Sequence, residues 1–216
     1  PHLYTEWGFK NFEAWVNGGF DNVKITPNGK VHRLLTRLGM DTLLHPFQPF
    51  IIGQRHIATK LAVKLNIPLI FYGESGSEYG NPLKDNEIAV RSFQEYEFFN
   101  QDDPSQVFLS GISLEELSKK WGLTRSDIDM YMPPNPDAVV SKGIQVHWLG
   151  FYVKWHPQGA YYYSVENGDF KAAPERTVGT YSTYNSIDDK IDDLHSYTTF
   201  IKFGIGRATY DASQEI

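Results

Sequence analysis

Residues 53–82, GQRHIATKLAVKLNIPLIFYGESGSEYGNP, decide how the chain is read. Ile57, Leu61 and Leu65 recur at helical spacing, so residues 53–65 predict an amphipathic helix. Residues 68–72 (PLIFY) form a short, unbroken apolar run, the pattern of a strand buried on both faces of a parallel sheet. The run empties into a polar, glycine-rich loop over 73–81. In open α/β sheets ligands bind beyond the carboxyl ends of the strands, where such a loop lies. Gly73, Glu74, Ser75, Glu78 and Asn81 are therefore candidate binding residues, suited to a ribose, a base edge or Mg2+.

Outward from this unit, residues 5–17 carry Trp7, Phe12, Trp15 and Val16 at near-helical intervals and end at Gly18-Gly19. Residues 30–44 predict a second helix, which His45-Pro46-Phe47-Gln48-Pro49 breaks. Residues 85–100 are acidic and aromatic and predict a further helix. Ser113 with Glu116 makes a capping-box pattern opening LEELSKKWGL, followed by TRSDIDMYM. This stretch is expected to be a small helical insertion, a lid or docking element, with Pro133-Pro134 and Pro136 as its exit. Residues 145–154 and 161–165 read as strands, and residues 171–184 as a loop. The expected organisation is an α/β domain over 1–108, the insertion over 109–136, and a C-terminal part over 137–216.

The closing stretch, SIDDKIDDLHSYTTFIKFGIGRATYDASQEI (186–216), predicts a helix with two stripes. Ile187, Ile191, Leu194, Thr198 and Ile201 form an apolar one. Asp188, Asp192, His195, Thr199 and Lys202 repeat the spacing one residue on, about 100° around the helix, and so are expected to line a cleft. Gly204-Ile205-Gly206-Arg207 then sets a guanidinium on a permissive backbone, suited to an anion. The alternative is a solvated helix flank.

Composition narrows the field. The net charge of −6 gives no global basic field for nucleic acid, so a helix-turn-helix reading of 114–130, with only Lys119, Lys120 and Arg125 nearby, is a poor one. The absence of cysteine removes disulfides, thiolate metal sites and cysteine nucleophiles, and fits a cytoplasmic protein. His45, His56, His147, His156 and His195 show no compact zinc-ligand spacing. No GxxxxGK[ST] phosphate loop and no GxSxG elbow occur. The 13 Tyr, 14 Phe and 5 Trp are many for a plain α/β core, and their clustering over 148–163 suggests a binding surface.

Several blocks together resemble the N-acetyl sugar amidotransferases of bacterial surface-polysaccharide (O-antigen, lipopolysaccharide) and pseudaminic-acid pathways. They are PHLYTEWG at Pro1, FDN…TPNG…HRLLTRL over 20–38, HPFQPFIIGQ at His45, and IPLIFYGE…EYGNP ending at Pro82. RTVGTYSTY…SIDDKIDDLH over 176–195 and IKFGIGRATYDASQEI at the end complete them. The resemblance implies a Rossmann-like parallel sheet of the adenine nucleotide α-hydrolase (ATP pyrophosphatase) type. It implies conversion of a sugar acetamido group to an acetamidino group: ATP, with Mg2+, adenylates the amide oxygen, and ammonia displaces AMP. The substrate would be an N-acetylated sugar nucleotide, and the ammonia would come from a glutaminase acting with a cyclase-like subunit. The family's Ser-Gly-Gly-x-Asp-Ser loop and its cysteines are absent here, so the chain is expected to be a central and C-terminal fragment, inactive alone.

Within that reaction Lys190, Lys202 and Arg207 are expected near phosphate or the sugar nucleotide's diphosphate. Asp189 is the expected Mg2+ ligand, with Asp192 holding metal or orienting a lysine. Glu74 and Glu78 suit ribose, metal or ammonium, and His195, with an ordinary pKa near neutrality, is expected to exchange the amidine proton. The alternatives are another adenylating enzyme of that superfamily, such as a tRNA thiolase or an NAD-synthetase-like enzyme, and a non-catalytic interaction module.

Overall fold

A computed structural model of the chain describes residues 4–73, 89–90, 105–154 and 156–215. The chain divides into two compact units. One comprises Pro1–Gly29, Leu44–Phe47 and Trp155–Ile216, the other Lys30–Leu43 and Gln48–Lys154. Among the described residues it is a mixed α/β protein with one two-stranded parallel sheet.

The second unit holds the helices α2 (Gly29–Leu43) and α3 (Gln48–Leu65). The expected break between them is present, but α3 starts five residues earlier than its apolar spacing indicates, at Gln48-Pro49. Proline fits the first turn of a helix, where its missing N–H has no partner to lose. Strand β1 (Leu69–Tyr72) follows, and pairs in parallel with a later strand over Gln145–Trp148, with Leu69 opposite Gln145 and Tyr72 opposite Trp148. Val90 bridges the far side of that later strand at His147. The parallel pairing agrees with the apolar run; burial on both faces does not. Leu69 and Phe71 are 46% and 52% exposed, while Ile70 packs on Ala62, Val139 and Ile144. One face of the strand is covered, as the two-residue alternation of strand side chains allows.

Between these strands lie the hairpin β2 (Phe108–Leu109) and β3 (Ile112–Ser113), then α4 (Leu114–Trp121) and α5 (Arg125–Ile128). Ser113 caps α4 by accepting the Glu116 N–H at 3.2 Å, and Gly122 closes it in the left-handed region at φ 67. The Glu116 carboxylate pairs with Lys120, so the reciprocal capping box forms instead at Thr124 and Asp127. The sequence pattern predicts that this stretch is a small helical insertion, a lid or docking element. It is part of the core: Leu114, Leu117, Ile128, Tyr131 and Met132 are buried with Val31, Leu35, Leu38 and Ile52 of α2 and α3. Pro133 and Pro134 are buried too, and Pro136 opens α6 (Pro136–Ser141) instead of serving as an exit. Strand β4 (Gln145–Trp148) covers only the first part of the strand expected over 145–154, and α7 (Leu149–Tyr152) continues it.

The first unit is built on α1 (Glu6–Val16), α8 (Pro157–Asn167), α9 (Asp192–Phe203) and α10 (Arg207–Gln214). Helix α1 lies where its spacing indicates, capped by Thr5, whose hydroxyl accepts the Gly8 N–H at 2.9 Å. The strand expected over 161–165 is instead the middle of α8. His156 caps that helix through Nδ1, accepting the Gly159 N–H at 3.0 Å, and Pro157 takes its first position. Local capping outweighs the strand preference of the Tyr161–Tyr163 run, which is weak and context-dependent. The helix expected over 85–100 lies outside the described residues, apart from positions 89 and 90.

Candidate functional site

The closing segment does not form one helix from Ser186. Ser186 has φ 47, and the chain turns through 187–191 before α9 begins at Asp192. Asp189 makes this turn: its carboxylate accepts the Ile191 N–H at 2.9 Å and its carbonyl the Asp192 N–H at 3.3 Å. Such local aspartate bonds give the backbone an alternative to helix. Asp188 therefore shares no helical row with Asp192. Of the apolar row, Ile187, Ile191 and Thr198 are buried, whereas Leu194 and Ile201 are 42% and 54% exposed.

The turn is held from outside by α1. Thr5 donates its N–H to the Asp188 carbonyl at 3.2 Å and its hydroxyl to the Ile187 carbonyl. Gly8 passes so close that a Cβ there would lie 2.2 Å from the Asp188 carbonyl oxygen. Asp188 is exposed and Asp189 buried, and Asp189 Oδ2 has no hydrogen-bond partner among the described residues. Burial, then the charges of Asp188 and Asp189, and a hydrogen bond with Asp188 push the Asp192 carboxyl up to about 7, against the opposing pull of Arg207. Asp192 is thus a group that titrates near neutrality.

His195, expected in that role, does not. Its ring stacks on His45 at 4.9 Å and meets the edge of Phe47 at 5.1 Å. Burial, then His45, Lys202 and Arg207, hold its pKa down to about 4, so it is neutral at physiological pH. The same causes, burial and Lys202, lower His45. Nδ1 of each ring is buried and has no hydrogen-bond partner among the described residues.

Arg207 opens α10 and is far from free. Its side chain is 6% exposed and donates to Asp193 Oδ1 at 3.1 Å, to the Val178 carbonyl at 3.3 Å and to the Asn185 carbonyl at 3.4 Å. Beside it, Ala208 N–H donates to the Gly179 carbonyl at 3.0 Å, and Thr180 donates to the buried Asp211 carboxylate. Lys190 is exposed, and Lys202, also exposed, lies 5.1 Å over the Phe203 ring.

Asp189, Asp192, His195, Lys202 and Arg207 thus fall in one unit, on the turn, α9 and α10. Gly73 ends β1 in the other unit, and Glu74, Ser75, Glu78 and Asn81 lie outside the described residues. Among the described residues no three His, Asp or Glu side chains form a metal cage. The orphaned Asp189 Oδ2 and the carboxylate crowding around Asp192 still fit Mg2+, which uses one or two carboxylates and completes its shell with water and phosphate.

Sequence reasoning missed His45 and Phe47, which it read as a helix break, and Glu215. Glu215 lies 3.3 Å from His156 Nε2; burial, and then the charge of Glu215, push the Tyr184 hydroxyl up to about 12. Tyr184 also stacks on Tyr161 at 4.3 Å. No local pattern announces such contacts. No protein-family model matches the chain, and no curated protein matches it.

Proposed function

We propose that the chain belongs to an ATP-dependent N-acetyl sugar amidotransferase of the adenine nucleotide α-hydrolase type. In this reading a Rossmann-like sheet includes β1 and β4, and a sugar acetamido group becomes an acetamidino group. The observation that carries it is the meeting of the closing blocks on which the resemblance rests. Arg207, from the last block, binds the Val178 and Asn185 carbonyls of the loop over 176–185 and the Asp193 carboxylate at the start of α9.

The chemistry divides among the chain's own groups. The amide oxygen attacks the α-phosphorus of ATP and pyrophosphate departs; ammonia then adds to the activated carbon and AMP leaves. Mg2+, held by Asp189, would neutralise phosphate charge. Asp192, with a pKa of about 7, is suited to accept the proton that the incoming ammonia sheds. His195 is placed to hydrogen-bond the bound phosphate, and Lys202 and Lys190 bring positive charge to it. Arg207 acts indirectly, by holding the loop and α9. The sugar nucleotide, a glutaminase and a cyclase-like subunit are the proposed partners.

The test is a reaction of the complete gene product with ATP, Mg2+, ammonium and a panel of N-acetylated sugar nucleotides. Expected are pyrophosphate, AMP and a sugar in which NH has replaced the amide oxygen, seen by mass spectrometry. Pyrophosphate release that needs tRNA or a free carboxylate substrate would assign the other adenylating enzymes. A second reading, an interaction module, is favoured by the exposed Tyr197, Phe200, Ile201 and Phe203 on α9; absence of any ATP or sugar-nucleotide binding would select it.

A further inference from the structure

We propose that His45 and His195, together with Lys202, form a site for a phosphate-bearing anion that takes up a proton from solvent as the anion binds. The inference deepens the reading above and rests on it only for the identity of the anion. His45 is contributed by Leu44–Phe47, a segment that belongs to the same unit as α9.

The geometry makes the case. Two imidazoles lie stacked at 4.9 Å, with Phe47 packed T-shaped on the His195 ring, and each carries a buried Nδ1 with no partner among the described residues. A buried polar nitrogen left unsatisfied costs about 1–3 kcal/mol, and two such atoms on one pair of rings mark a place where an outside group completes the bonding. The sign of that group follows from its surroundings. Lys202 acts on both rings and Arg207 on His195, and both charges are positive. The acids on α9 are Asp192, which is itself pushed towards its neutral form, and Asp193, which Arg207 engages. Pro46 and Phe47 bring no charge from the segment that carries His45. A ligand that accepts hydrogen bonds from imidazole N–H groups inside a positive field is an oxyanion.

Proton uptake follows by linkage. Without an anion, burial and then the cationic surroundings lower the pKa of both imidazoles, that of His195 to about 4. An oxyanion in contact reverses the electrostatic term and favours the protonated ring, so binding draws a proton from solvent. Affinity is then greatest at low pH. It weakens by close to a factor of about 10 per pH unit between His195's free pKa and its pKa in the complex.

Calorimetric titration of the full chain tests this, in two buffers of unlike ionisation enthalpy. The probes are sulfate, which does not itself titrate at these pH values, inorganic pyrophosphate and a nucleoside diphosphate. Expected is binding with net proton uptake that strengthens as pH falls from about 7 to about 5. Tighter binding of pyrophosphate than of the nucleoside diphosphate assigns the site to the leaving group, and the reverse order to the sugar nucleotide. His45→Asn and His195→Asn should each weaken sulfate by about tenfold or more and abolish the uptake. Should either variant fail to fold, imidazole resonances of the wild-type chain replace it. With saturating sulfate the His195 pKa is expected to rise from about 4 to above about 6. No sulfate or pyrophosphate binding, binding without proton uptake, or a pKa that sulfate leaves unmoved overturns the inference. Proton-linked sulfate binding without ATP-dependent pyrophosphate release would overturn only the amidotransferase reading; the converse result would overturn only the anion site.

Discussion

Asp192 and His195 stand one helical turn apart and titrate with opposite consequences for stability. The Asp192 carboxyl is raised from 3.8 to about 7, so between those values the folded chain holds a proton that the unfolded chain has lost. That makes stability fall as pH rises through the window. His195 is lowered from 6.5 to about 4, so here the unfolded chain holds the extra proton and stability rises with pH over its window. The two effects oppose each other across most of the range, and the wild-type profile is expected to be shallow. Asp192→Asn should leave a clear gain in stability from about pH 4 to 6.5, of about 1–2 kcal/mol after solvent screening of half-buried groups. His195→Gln should leave a comparable loss from about pH 4 to 7. Thermal unfolding across this range reads both, and parallel profiles for wild type and variants would refute the assignment. Arg207 belongs to the same scale. Its guanidinium joins a carboxylate and two carbonyls at 6% side-chain exposure, so Arg207→Ala should cost about 1–3 kcal/mol of stability, measured by urea unfolding. A solvated arginine would cost less than about 0.5 kcal/mol.

At the scale of elements, the acidic turn takes its shape from α1. The contact of Gly8 with the Asp188 carbonyl is backbone against backbone, so no side chain can rotate away to admit a methyl group. Gly8→Ala is expected to destabilise by about 1–3 kcal/mol, the usual cost of overpacking, and to shift the Asp192 titration by displacing Asp188. Denaturant unfolding measures the first effect and a carboxyl titration by NMR the second; unchanged values for both would detach α1 from the turn. The periodicity that located α1, α2 and most of α3 is a short-range property, and their ends are marked by Thr5, Gly18 and Pro49 within the same few residues. Helix α9 shows where that signal stops. The spacing from Ile187 to Ile201 is helical throughout, yet Asp189 spends its carboxylate on the backbone and delays the helix to Asp192. Residues 161–165 show the converse, since three adjacent tyrosines favour a strand in isolation but sit inside a helix capped by His156 and Pro157.

Across the whole molecule, residues 114–132 are a test of what counts as core. Leu117 is 1% exposed and packs with Leu35 and Leu38, so Leu117→Ala should cost about 2–5 kcal/mol. It should also lower hydrogen-exchange protection in α2 together with α4; loss confined to α4 would restore the reading of an appended lid. The sequence by itself determined the helices α1 and α2, most of α3, the strand after α3, its parallel pairing and the capped helix at Ser113. Each follows from periodicity, capping chemistry or an apolar run legible within about a dozen neighbouring residues. Only the tertiary structure decided that β1 is covered on one face, that the 114–132 stretch is core, that Arg207 is committed to Asp193, and that Asp192 rather than His195 titrates near neutrality. The reason is physical: burial, desolvation and charge pairing depend on which distant segments come into contact, as His45 does with His195, and local spacing carries no record of those partners.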